Sequence, residues 1–379
     1  MLRRLPACVF ALAAVLLTSS LRAADPDAKP ATPAVEVAFV LDTTGSMSGL
    51  IEGAKQKIWS IANQVTRPEG DGPRPRVKIA LVGYRDRGDA YVTQVHDLSD
   101  DLDAVFGHLS AFKADGGGDG PESVNQALHE AVTKLSWSTD RDTLKVVFLV
   151  GDAPPHMDYE QDVKYPDTCK QAVAKDLIIN TIQCGGDTTT TPIWRQIAEL
   201  GEGRFAQIGQ TGDMTVAATP VDGELAELNR AMAATVVPYG AAAQQREVVG
   251  KVAAATAAPA APAADRMKYM KEAEAGSAIS GAGDLVTDAA AGKVKLDELK
   301  DAELPAALQG KNAEERAAYV EQQAQRRAEL QVKIDDLLKQ RQAHLDAQRA
   351  EQAKAGKGDA FDEQVAAMLA EQAAAKQAE

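Results

Sequence analysis

The stretch that most restricts how this chain can fold is residues 35–48, VEVAFVLDTTGSMS. An apolar run from Val37 to Leu41 stops at Asp42, and two hydroxyl residues follow at fixed offsets, Thr44 and Ser46. A continuous apolar run of this length fits a strand buried on both faces, as in a parallel sheet with helices on each side. Beyond it, Leu50, Ile51, Ala54, Ile58, Ile61, Ala62 and Val65 recur at helical spacing. Asp42, Thr44 and Ser46 are therefore expected in the turn between a strand's C-terminal end and a helix, where open α/β sheets place their ligands. One carboxylate and two hydroxyls converging there form a hard-oxygen cluster suited to a divalent cation, magnesium before calcium or manganese.

The same alternation continues downstream. Residues 77–82, 144–150, 177–182 and 204–208 read as strands, and 91–95 as a short antiparallel edge strand. Helical patterns cover 102–112, 121–135, 167–174, 192–200 and 225–236. This order predicts an α/β fold over residues 35–240, a doubly wound, mostly parallel sheet flanked by helices. Residues 241–265 read as an Ala/Pro linker without apolar periodicity, and 266–310 as short helical pieces broken by glycine. Residues 311–379 form a mainly helical Ala/Gln/Glu-rich tail. Its longest segment, 312–354, has a poor coiled-coil seam, with Val320, Arg327, Ile334 and Arg341 in one heptad position and Gln323, Leu330, Leu337 and His344 in the other. An extended solvated helix is expected, with self-association through it as the alternative.

A net charge of −14 argues against nucleic acid as a partner, because phosphate binding needs a basic face. Residues 1–24 read as a signal peptide, with a basic start at Arg3 and Arg4, an apolar run over 7–17 and small residues near Ala24. Residues 25–34 are a spacer, and no later apolar run is long enough to span a membrane. Periplasmic or secreted localisation is the expectation. Outside the leader stand two cysteines, Cys169 near the start of a predicted helix and Cys184 at the end of the next strand. A helix packed antiparallel on its following strand brings those ends together, so a disulfide is expected, with two buried thiols as the alternative.

Asp42-x-Thr44-x-Ser46 after a buried first strand resembles the metal-ion-dependent adhesion site of von Willebrand factor A domains. The resemblance implies that a Thr or Asp from the loop before the third helix completes the coordination. It also implies that an Asp ending the fourth strand acts through water, and Asp152, after LKVVFLVG, matches that position. The loop before the third helix departs from the pattern: residues 115–122 read DGGGDGPE, without threonine. Asp119 is the candidate there, with Asp115 and Glu122 behind it. A carboxylate in place of a hydroxyl would strengthen cation binding and weaken the pull on an acidic ligand. Gly83-Tyr84-Arg85-Asp86 and Asp301-Ala302-Glu303-Leu304-Pro305 resemble segments of bacterial exported members of the family. The function this implies is metal-dependent capture of a protein ligand that offers a carboxylate, without catalysis.

Other readings are weaker. Asp42-Thr43-Thr44 also resembles the aspartyl-phosphate turn of haloacid-dehalogenase-like phosphotransferases, with Asp42 as nucleophile. Those enzymes place a second aspartate where Thr44 stands, and no cap insertion follows the first strand. A scaffold acting through its tail is the other alternative. Arg85 and Asp86 are either partners behind the site or a surface turn, and His156 is a rim or packing residue. The tripeptide Arg87-Gly88-Asp89 carries no adhesive meaning at this length. No HExxH, GxSxG, phosphate-loop or zinc-spaced cysteine motif is present.

Overall fold

A computed structural model describes residues 34–67, 73–118, 120–212, 217–273, 276–355 and 360–378. The expected leader and nearly all of the spacer lie outside these residues.

The apolar run at the start is β1 (Ala34–Asp42), and the helical pattern after it is α1 (Ser48–Val65), entered through a single 3-10 turn. Next come β2 (Arg76–Tyr84), β3 (Thr93–Ser99) and α2 (Leu102–Ala111). Then follow α3 (Val124–Thr133), β4 (Leu144–Gly151), α4 (Tyr165–Val173) and β5 (Leu177–Cys184). The α/β unit ends with α5 (Thr190–Leu200), β6 (Glu202–Ile208) and α6 (Asp222–Ala233).

The six strands lie in the order β3-β2-β1-β4-β5-β6. Every pairing is parallel except β2 with β3, the expected antiparallel edge. Register puts Asp42 opposite Tyr84 on one side and Leu41 opposite Val150 on the other, so the C-terminal ends of β1, β2 and β4 finish together. The chain leaves β1 toward β2 on one side and reaches β4 on the other. Right-handed crossovers then put α1 and α3 on opposite faces, and a crevice opens where the order reverses.

Alternation along the strands divides two cores. Val37, Phe39 and Leu41 of β1 join Phe148 and Val150 of β4 on the face covered by α1, α2 and α6, where Phe39 and Phe148 stack with centroids 5.5 Å apart. Ala38, Val40, Val147 and Leu149 line the face covered by α3, α4 and α5. Burial on both faces accounts for the unbroken apolar runs.

That division overturns the expected disulfide. Cys169 on α4 belongs to the second face, whereas Cys184 at the end of β5 belongs to the first. The sheet stands between the two sulfurs, and no disulfide joins them. Burial pushes the Cys169 thiol up to about 12, which suits an inert core position.

The expected linker is also corrected. Residues 241–265 lie largely within α7 (Ala242–Ala257) and α8 (Ala260–Ala273). Alanine is the best helix former, and Pro262 falls in the first turn of α8, where its missing N–H is harmless. Helix α8 packs on α1 and α6. Its Arg266 is fully buried and meets Asp103 of α2 with two bonds of 2.7 and 2.6 Å, while also donating to Asn229. After α9 (Leu285–Ala290) the tail consists of α10 (Ala313–Ala355) and α11 (Ala360–Ala378).

The tail is neither a solvated rod nor a coiled coil. In α10, Val320, Arg327, Ile334 and Arg341 are all buried against the rest of the chain. Arg327 pairs with Asp284 at 2.7 Å and donates to Thr235, and Arg341 pairs with Asp222 at 2.7 Å and Asp265 at 2.6 Å. In α11, Phe361, Val365, Met368 and Leu369 enter the first core, and Gln372 exchanges amide hydrogen bonds of 3.1 and 2.8 Å with Asn180 of β5.

Candidate metal centre

The turn after β1 sorts its residues by alternation. Thr43 turns back toward β2: its N–H and its Oγ1 both donate to the Tyr84 carbonyl at 2.8 Å. Asp42 and Thr44 turn the other way. Asp42 is fully buried, and its Oδ1 accepts from the Thr44 N–H at 2.8 Å and from Thr44 Oγ1 at 2.6 Å. Thr44 Oγ1 lies 3.3 Å from Ser46 Oγ, so the three expected ligands share one corner. Asp42 does not cap the following helix: Met47 occupies that N-cap, and no side chain bonds it.

The end of β4 closes a second side. A Cβ on Gly151 would collide with Tyr84 Oη and stand 3.0 Å from Asp42 Cβ, so only glycine admits the close approach of the strand ends. Asp152 follows it, half-buried, and its Oδ2 accepts from Gln210 Nε2 at 2.6 Å. Thr190, at the start of α5, donates to the Asp152 carbonyl at 3.3 Å.

The third side is the loop before α3. Its Asp115 N–H donates to the Thr43 carbonyl at 3.1 Å, and Gly45 N–H donates to the Gly116 carbonyl at 3.2 Å. Gly116 and Gly117 have φ of 77° and 81°, which glycine adopts without strain. A Cβ on Gly117 would fall 3.2 Å from Thr44 Cβ and 3.3 Å from Glu122 Oε1. Glu122 thus faces the Thr44 corner across a glycine. Its backbone is pinned, its N–H donating to the Pro154 carbonyl at 2.9 Å and its carbonyl accepting from the His156 N–H at 3.0 Å.

Of the loop candidates, Asp119 lies outside the described residues. Asp115 is exposed and spends Oδ1 on the Gly116 N–H at 2.9 Å. Glu122, ranked behind Asp119 from the sequence, is buried with its Oε2 lacking any hydrogen-bond partner among the described residues. Asp42 Oδ2 is likewise buried without one.

Burial is the main cause that lifts both carboxyls. Asp42 is held at about 7, with its Thr44 bonds pulling the other way and Asp152 adding to the rise. Glu122 is lifted to about 9, with Asp42, Asp86, Asp89 and Asp152 contributing. Burial also raises Tyr84, with Asp42, Glu122 and Asp152 adding to the rise. Two buried carboxyl groups, each with an oxygen lacking a partner, keep their protons for want of a counter-charge, and beside two hydroxyls a divalent cation would supply it. Among the described residues no group of three or more His, Cys, Asp or Glu is disposed to hold a metal. The donor set at this corner is mixed, hydroxyls and carboxylates together, the kind in which magnesium keeps several of its waters.

A further layer fixes these loops. Arg85 is buried, donates from Nε to the Thr43 carbonyl at 3.1 Å and from Nη2 to the Lys113 carbonyl at 2.6 Å, and lies over the Tyr91 ring. Asp86 accepts from Ser123 Oγ at 3.0 Å and Tyr159 Oη at 2.9 Å. His156 packs flat on Tyr159 with centroids 4.0 Å apart, and its Nδ1 stands 2.8 Å from Asp158 Oδ1. Asp89 of the RGD tripeptide turns inward and accepts from the Gly117 N–H at 3.1 Å. Gln210 was not singled out from the sequence, since a lone glutamine after a strand carries no motif.

A family model for the von Willebrand factor A domain matches residues 36–204. This segment is a von Willebrand factor A domain. Over 124 residues, 33% of the chain, it is 33% identical to von Willebrand factor A domain-containing protein 7 of the rat. The match spans 12% of that relative's length. Among solved structures, the SpRpn10 VWA domain covers 47% of this chain and 89% of its own, at 14% identity and a TM-score of 0.35. Proximal thread matrix protein 1 from the mussel byssus, with a zinc-occupied adhesion-site motif, covers 46% of this chain and 42% of its own, at 18% identity and a TM-score of 0.35. The von Willebrand factor A domain here carries its turn residues Asp42, Thr44 and Ser46 within the matched segment.

Proposed function

We propose that this chain is an exported, metal-dependent protein-recognition module. A divalent cation, magnesium by the hardness of the donors, is held by Asp42, Thr44 and Ser46, with Glu122 completing the shell and Asp152 acting through water. When bound, the ion supplies an open coordination position for a carboxylate oxygen of a partner protein. The observation that carries this reading is the pair of buried, donor-less oxygens, Asp42 Oδ2 and Glu122 Oε2, on either side of the Thr44 corner. Nothing at the corner calls for catalysis. As a nucleophile Asp42 would need access, and it is fully buried. A scaffold acting through a free tail is disfavoured by the docking of α10 and α11 on the domain. No helix among the described residues is long and apolar enough to cross a membrane.

Calorimetric titration with Mg2+, Ca2+ and Mn2+ tests the reading. Saturable binding that is lost in Asp42→Ala, with the fold intact by circular dichroism, is expected. Absence of binding in the parent chain would reduce the turn to a structural element.

A further inference from the structure

Helix α1 runs 18 residues from the metal turn, roughly 25 Å at the helical rise. At its far end α1, α8 and α10 enclose a cleft of about 830 Å³, a volume in the range of small-molecule sites. The lining is polar, with Leu345 its one apolar side chain among the described residues. Five cationic and three anionic side chains face it in a chain whose net charge is −14.

The three anions are already engaged. Glu272 takes Arg74 at 2.7 Å, Asp265 takes Arg341 at 2.6 Å, and Asp346 takes Arg349 at 3.5 Å. Arg67 and Lys268 remain, and among the described residues neither has a carboxylate partner; Lys268 Nζ donates to the neutral Gln342 amide at 3.1 Å. Two further groups lining the cleft are buried and unmatched. Arg74 Nε is a donor and Asn63 Oδ1 an acceptor without partners, the amide being oriented by Nδ2 donating to the Asp265 carbonyl at 2.9 Å. A cleft with surplus cations and an unmatched guanidinium N–H takes an oxyanion, because phosphate or carboxylate oxygens accept from several guanidinium and ammonium donors at once, whereas the Asn63 acceptor gives such a ligand no bond.

We propose that this cleft binds a small oxyanion-bearing ligand, of phosphate or carboxylate type, through Arg67, Lys268 and Arg74. The site is separate from the metal turn, so it stands or falls independently of the function proposed above.

The test is titration of the full chain with inorganic phosphate and, separately, with citrate. The chain is first stripped of metal with EDTA and dialysed into metal-free buffer, so that no metal-held anion registers, and chloride holds the ionic strength constant. Saturable binding of at least one probe is expected, and the preferred probe separates phosphate from carboxylate recognition. Arg67→Gln with Lys268→Gln should weaken that binding at least tenfold, a loss typical of removing charge-assisted contacts. The anion-free melting temperature should stay unchanged, since neither residue pairs with a carboxylate. Failure of both probes to saturate, or equal binding by the double variant, would overturn the proposal.

Discussion

At Asp42 the two carboxylate oxygens have different surroundings. Oδ1 holds the turn through Thr44, while Oδ2 is buried without a donor. Burial keeps its folded value at about 7 instead of the ordinary 3.8, and that of Glu122 at about 9 instead of 4.5. Both values are raised, so the folded metal-free chain keeps protons that the unfolded chain releases. Stability in EDTA should therefore fall as pH rises through these windows, from 3.8 to about 7 for Asp42 and from 4.5 to about 9 for Glu122. A divalent ion takes the place of those protons, so its stabilising effect should grow over the same range. Melting curves from pH 5 to 9 with and without Mg2+ measure both trends, and Asp42→Asn should flatten them. Gly151→Ala drives a methyl into Tyr84 and Asp42; a loss of about 1–3 kcal/mol is expected from such overpacking, read by denaturant unfolding together with impaired metal binding.

At the level of elements, the strands and their order of alternation were legible because each core strand is apolar on both faces. Residues 144–150 became β4, residues 177–182 became part of β5, and both lie parallel in the sheet. The turn triad was equally legible, since its spacing places three oxygen side chains at one strand end. The inward placement of Glu122, against the exposed Asp115, was not. It depends on a backbone bridge from Glu122 to Pro155, which no local pattern in the loop encodes. The disulfide expectation failed because end-to-end proximity of a helix and a strand says nothing about which face of the sheet each sulfur occupies. The tail was misread for a related reason. Arg327 and Arg341 spoil a coiled-coil seam, and those same side chains anchor α10 to Asp284, Asp222 and Asp265 of its own chain. Phe361→Ala separates a docked tail from a free one: loss of a fully buried phenylalanine costs about 3–5 kcal/mol, against no change for a solvated helix.

For the whole molecule, the described residues belong to one compact unit running to the C-terminal helix. The region after residue 240 therefore completes the core. A chain ending at residue 240 would uncover Trp59, which packs on Tyr269 with centroids 5.5 Å apart, and would strip Asp103 of Arg266 and of the Ser280 N–H. Such a truncation should bind hydrophobic dyes and associate at concentrations where the full chain is monodisperse, as sedimentation would show. The proposed function rests, however, on an ion at the turn after β1. The most direct measurement is a crystal structure of the full chain grown with Mn2+, with anomalous scattering locating the metal. One strong peak is expected, bounded by Thr44 Oγ1, Ser46 Oγ and the carboxylates of Asp42 and Glu122. An empty corner with manganese bound elsewhere, or nowhere, would contradict it.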